Sequence, residues 1–200
     1  MELVIQLGVL FLSIILHEVA HGYMAYRLGD PTARDANRLT LNPLAHIDPF
    51  GSILLPILLV VSHSPVLLGW AKPVPFNPAY FGDFRKGTML VGAAGPVTNL
   101  VLAVAAGVLF RLFTPGGLVG LVLLNLCVTN ITLAVFNLIP IPPLDGSRVL
   151  VGFMPHDWIS GYLFMERYGF LVIFGLLYLG VLDHLLIPIE RALMRLLLPM

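Results

Sequence analysis

Hydrophobic residues along this chain gather in four long runs, each near the length that a membrane-crossing helix requires. Such a helix needs ~20 mostly apolar residues at a rise of ~1.5 Å each. Leu3 to Ile15 is apolar apart from Gln6 and Ser13, and its helical pattern continues to Arg27. Thr88 to Phe113 is broken mainly by small residues, Pro96 and Asn99. Leu118 to Ile139 carries no charge, and Phe170 to Ile187 has Asp183 and His184 near its end. The pattern predicts an all-α integral membrane protein, a helical bundle of about four spanning helices. No basic segment precedes the first run, and His17 and Glu18 follow it, so it is expected to remain as a span rather than be removed as a leader.

A fifth apolar stretch, 51–70, is of another kind. Pro56 and Pro65 fall inside it, and half of the sixteen prolines lie between Pro31 and Pro78. Its neighbour, Trp70-Ala-Lys-Pro-Val-Pro-Phe-Asn-Pro78, should be extended or turned, because residues before proline avoid the helical region. Residues 51–78 are therefore expected to form a re-entrant or extended segment, with a sheet edge near Trp70 to Pro78 as one form it could take. Leu186 to Met200 places Arg191 and Arg195 on one helical face and suits a C-terminal interfacial helix. Composition agrees with a membrane protein. Of 200 residues, 58% are hydrophobic and only 11% charged, with a mean hydropathy of +0.93, too little polar surface for a water-soluble globule. Eleven basic residues balance eleven acidic ones, which gives no electrostatic case for nucleic acid as a partner. One cysteine, Cys127, excludes an internal disulfide framework.

Chemistry concentrates at the end of the first run, in His17-Glu18-Val19-Ala20-His21. Helix positions i and i+4 share a face, so His17 and His21 can bind one metal ion together, with Glu18 placed to take a proton from water. An ionisable side chain at membrane depth costs ~2.5–3.5 kcal/mol on insertion scales, which argues against a chance match here. A catalytic zinc needs a third protein ligand and an open position. Cys127 lies eighteen residues before Asp145, ~27 Å if the chain between is helical, and is read as packing. Asp145 follows Asn137-Leu-Ile-Pro140-Ile-Pro142-Pro143-Leu, where the prolines should unwind the helix end and let the carboxylate turn back toward a metal. An ordinary turn is the competing reading of that segment.

Together these residues resemble the site-2 protease family of intramembrane zinc metalloproteases. The HExxH at 17–21 and Asn137…Pro140-Ile-Pro142-Pro143-Leu-Asp145-Gly146 match two of its motifs, and Gly95-Pro96-Val97-Thr98-Asn99 looks like the Gly-Pro-x-x-Asn of its middle core helix. The stretch from Gly69 to Pro78 looks like that of the compact subgroup without a PDZ domain. The resemblance implies one peptidase domain over 1–200, with its core in 1–155 and C-terminal helices in 156–200. It implies one zinc ion per chain held by His17, His21 and Asp145, with Glu18 as catalytic base and Asn137 assisting. The substrate would be a transmembrane helix of another protein, opened locally and held by strand addition near residues 70–78. The alternative is a membrane metal-ion transporter or metal-handling protein, since intramembrane histidines and carboxylates also mark ion pathways. Paired broken helices would favour it, and one broken exit is visible. Asn99 is open between helix packing and function, Asn125, Thr129 and Asn130 read as packing, and His46 reads as a loop residue that could approach the site.

Parity of crossings adds a topology. For the ends of the first and third runs to share a metal, an even number of crossings must separate them, so 51–70 should not span. Arg27, Arg34, Arg38, Lys72, Arg85, Lys86, Arg148 and Arg167 then share a side, eight of eleven basic residues. That side should be cytoplasmic, with the active site opening toward it in the cell membrane. Cysteines introduced at Ala36 and Asp83 in a Cys127→Ser background should label from the same side of sealed vesicles. Opposite-sided labelling would refute the parity argument.

Overall fold

The computed structural model describes residues 1–62 and 71–198, all helix and loop, with no strand among them. The helices are α1 (Glu2–Arg27), α2 (Thr32–Asp35), α3 (Leu55–Val61), α4 (Phe84–Phe113), α5 (Gly117–Asn137), α6 (Asp145–Val151), α7 (His156–Phe164), α8 (Glu166–Tyr178) and α9 (Val181–Leu197). Of these, α1, α4 and α5 are each long and apolar enough to cross a membrane, and α7 with α8, bent by 64°, makes a fourth crossing if taken as one span. The distribution of side chains is that of a protein in lipid. Leu3, Val101 and Leu118 stay well exposed, while Ser13, Asn99 and Asn130 are 0% exposed. Polar groups have been drawn inward because hydrocarbon offers them no partner.

Boundaries differ from expectation in ways the local chemistry explains. The second long helix begins at Phe84, a turn earlier than its apolar run, because the Asp83 side chain accepts from the backbone N–H groups of Arg85 and Lys86. This N-cap outweighs the two cations that interrupt the apolar pattern. The expected helix over 170–187 is two helices, separated at Leu179–Gly180, where Gly180 adopts φ +69°. A left-handed glycine ends one helix at little cost, and hydrophobicity alone does not reveal it. Beyond it α9 packs back on the bundle through Leu182 and Leu186, and Arg111 of α4 donates to the Arg195 and Leu198 carbonyls.

In the proline-rich region, Pro49–Leu54 forms a wide helical turn that leads into α3. The expectation for 63–70 lies outside the described residues. Residues 71–77 are non-helical and are not part of any sheet, so the sheet-edge form is absent there. Ala25 on α1 and Phe81 at the far end of this region pack in one buried cluster with Val91 of α4. The end of α1 and the approach to α4 thus lie at the same level.

Residues 71–77 form a strap pinned to the end of α1. Lys72 N–H donates to the His46 carbonyl at 2.9 Å and its carbonyl accepts from Arg38 at 2.7 Å. Asn77 N–H donates to Asp30 Oδ2 at 2.6 Å, and Asp30 Oδ1 accepts from both the backbone and the hydroxyl of Thr32. Asp30 is 0% exposed, a carboxylate stabilised by the strap and by the turn after α1. Gly22 leaves the space that Val74 and Leu39 fill, since a Cβ there would come within 2.7 and 2.8 Å of them. Asp30→Ala removes three hydrogen bonds to a buried charged acceptor. It should lower stability by about 2–3 kcal/mol, measured by thermal unfolding in detergent, with freer proteolysis of the 71–77 strap.

Candidate metal centre

Helical periodicity puts His17 and His21 on one face of α1, and that face turns inward, leaving the two side chains 6% and 7% exposed. Asp145 opens α6, just past the proline segment at the end of α5, and is 5% exposed. The chain folds back so tightly there that a Cβ on Gly146 would lie 2.1 Å from the Leu138 carbonyl oxygen. This return brings Asp145 Oδ2 to 3.0 Å from His17 Nε2 and 3.2 Å from His21 Nε2, and the two Nε2 atoms are 3.0 Å apart. Cys127 is not part of this group. It is fully buried in the apolar core with Ala103, Ala106 and Ile131.

The protons of the imidazoles point elsewhere. His21 Nδ1 is 2.7 Å from the Val91 carbonyl, which can only accept, so Nδ1 carries a proton and, in the neutral ring that a metal binds, Nε2 has the lone pair. His17 Nδ1 is 2.5 Å from Asn99 Oδ1, the same arrangement with a side-chain acceptor. Two nitrogen lone pairs and a carboxylate oxygen thus crowd together out of water, an arrangement that is repulsive unless a cation lies among them. Bonds of ~2.0–2.2 Å in a tetrahedral zinc site put ligand atoms about 3.3–3.6 Å apart, a few tenths of an ångström from the spacing here. His₂Asp also leaves the fourth position open. Gly95 makes the room: a Cβ there would lie 2.4 Å from His21 Nε2 and 2.6 Å from His17 Nε2. The residues fit zinc.

Glu18, next to His17, is half-buried, and its Oε2 accepts from Val74 N–H of the strap at 2.8 Å. With His17 and Asn137 it lines a cavity of about 570 Å³. Leu133, Phe136, Ile173, Phe174 and Leu177 are among the apolar residues that make up its other walls.

YwhC of Bacillus subtilis, which carries a provisional zinc-metalloprotease name, is 38% identical over 192 residues, 92% of this chain and 84% of its own. The chain belongs to the site-2-protease-like family of membrane zinc metalloproteases. Rip2 of Mycolicibacterium smegmatis, with the same provisional name, is 32% identical over 177 residues, 86% of this chain and 66% of its own. The zinc metalloprotease MJ0392 of Methanocaldococcus jannaschii is 23% identical over 180 residues, 86% of this chain but 43% of its own. No family model and no solved structure matches the chain.

For a site-2-protease-like chain, the residues singled out in the sequence are brought together. His17, His21 and Asp145 form a group that could hold a metal ion, while Glu18 and Asn137 line the adjoining cavity. The Asn137 amide donates back to the Leu133 carbonyl at 2.9 Å. Asn125 donates to Leu121 within its own helix. His46 is fully buried and donates to the Thr40 carbonyl through Nε2, so it braces the strap. His63 lies outside the described residues. Sequence reasoning missed Gly95 as the seat of the imidazoles, Val74 as the partner of Glu18, and Arg148. The Arg148 guanidinium is 3.5 Å from Asp145 Oδ1 and 3.6 Å from Glu166, and it lies over the Phe76 ring of the strap. A cation three residues after an aspartate was the available signal. Metal analysis of the purified protein should find zinc strongly reduced in Asp145→Ala and in Gly95→Ala, and unchanged in Cys127→Ser. Zinc lost from Cys127→Ser but kept in Asp145→Ala would overturn the ligand set.

Proposed function

We propose that the protein is an intramembrane zinc endopeptidase that hydrolyses a peptide bond in or near a transmembrane helix of another membrane protein. The observation that carries this reading is the cavity, lined by His17, Glu18 and Asn137 and otherwise largely by apolar residues. An unwound apolar peptide suits such walls, and the polar side chains among them supply the groups that hydrolysis needs. A zinc ion held by His17, His21 and Asp145 would supply Lewis acidity toward the scissile carbonyl and lower the pKa of water. Glu18 would accept the proton from the attacking water and deliver it to the leaving amine. Its bond to Val74 N–H keeps one carboxylate oxygen occupied and orients the other. Asn137 stands beside the same space, where its amide can steady the peptide once it leaves the Leu133 carbonyl.

We infer a cytoplasmic opening from the positive charges. Arg27 ends α1, Arg85 and Lys86 open α4, Arg148 lies beside Asp145, and Arg38 and Lys72 lie in the chain between α1 and α4, whereas Arg111 near the far end of α4 donates to the Arg195 carbonyl of α9. Ion transport would call for further ligand groups along a path, and among the described residues there is one such group. Glu18→Gln should keep its zinc while cleavage of a co-expressed single-span substrate falls about 10²–10⁴-fold. Metal analysis and immunoblotting of the same preparations would check this, and full activity in the variant would end the protease reading.

A further inference from the structure

Buried polar groups on three helices are joined in a chain of hydrogen bonds that ends on His17. Asn130 of α5 uses Nδ2 to donate to the Leu126 carbonyl at 2.8 Å and to Ser13 Oγ of α1 at 2.9 Å. Asn99 of α4 donates through Nδ2 to Asn130 Oδ1 at 2.7 Å, and Asn99 Oδ1 faces His17 Nδ1. The two ends of an amide are distinguished by their partners, and one partner here is unambiguous. Leu126 offers a backbone carbonyl, which only accepts. The Asn130 atom facing it must therefore be the NH₂ group, so its oxygen faces Asn99. Asn99 must then donate to Asn130 and present its own oxygen to His17. His17 Nδ1 must carry a proton, which in the neutral ring leaves the Nε2 lone pair facing Asp145 and His21.

We propose that Asn99 and Asn130 are positioning residues that fix the tautomer and ring orientation of His17, with the polarity originating at the Leu126 carbonyl. His21 achieves the same end directly on the Val91 carbonyl. Amides that only fasten helices together need partners but no particular direction. Here every bond runs the one way that frees Nε2 for a metal. Ser13 accepts at the side and is not needed for the polarity. The inference rests on the reading of the centre as a metal site.

The test uses the full chain in detergent with two readouts. Zinc affinity is measured by competition with a chromophoric chelator, and the His17 tautomer by imidazole ¹⁵N shifts of the zinc-free protein in mildly alkaline buffer. In the wild type, His17 should be the Nδ1–H tautomer. Asn130→Leu should weaken zinc binding about 10–100-fold, as loss of groups that orient a ligand does, and should mix the tautomers. Asn130→Asp in its protonated form keeps an acceptor for Asn99 and a donor for Leu126, so at a pH where that carboxyl is neutral both readouts should return to near the wild-type values. Ser13→Ala should change neither. An Nε2–H tautomer in the wild type overturns the proposal whether or not any variant folds. So does wild-type zinc affinity in a folded Asn130→Leu, or failure of a folded Asn130→Asp to restore it. A wild type with the Nδ1–H tautomer that binds no zinc would refute the metal reading of the centre and leave the relay standing.

Discussion

Three acceptors held within 3.2 Å of one another, away from water, are the constraint on which this structure turns. Left alone they repel, so the surroundings must both force them together and supply what makes the crowding tolerable. The force comes from packing. α1 carries two of the groups at i and i+4, α4 presents Gly95 where any larger residue would collide, and the proline turn after α5 swings the third group in. Both imidazole protons are directed outward, onto Val91 and Asn99, so that lone pairs alone face the centre. Of the Gly-Pro-x-x-Asn stretch, Gly95 provides space for the two rings and Asn99 provides the acceptor for one.

Around this centre the chain divides into parts with different duties. α1, α4, α5 and α6 hold the ligand group. The strap at 71–77 covers the neighbouring glutamate, fastened at Lys72, Val74 and Asn77 rather than paired as a strand. α8 closes the far wall of the cavity and is seated where Gly169 meets the Pro142 carbonyl, with no space for a Cβ between them. Arg148 lies at the junction of all three parts, touching Asp145, the Phe76 ring and Glu166.

The sequence was legible where chemistry follows local spacing. HExxH encodes its own geometry because one helix carries it, and Asp145 could be anticipated because prolines must end the helix before it. The strap's anchors were not legible, because Asp30, Arg38 and His46 reach it across gaps in sequence that no period describes. Asn99 and Asn130 could not be apportioned between packing and function for a related reason. A buried amide looks the same in sequence whatever it binds, and only its partners give it a direction. The break at Gly180 escaped because the residues on either side are equally apolar, and backbone handedness leaves no trace in hydropathy.

The glycines of α4 carry a further consequence, about solvent. Gly87 admits Phe81, Gly92 admits the start of α6 at Asp145 and Arg148, Gly95 admits the two imidazoles, and Gly107 admits Leu197 of α9. The helix thus binds its neighbours through missing side chains. In water each such glycine would cost a helix ~1 kcal/mol relative to alanine, and Pro96 ~3 kcal/mol more. Inside hydrocarbon, an unwound backbone has no water to bond to, and the helical state is imposed from outside. The bilayer is therefore what permits a helix so poor in intrinsic helicity to serve as the scaffold of the centre. The same segment in an aqueous setting would be among the first to lose its form.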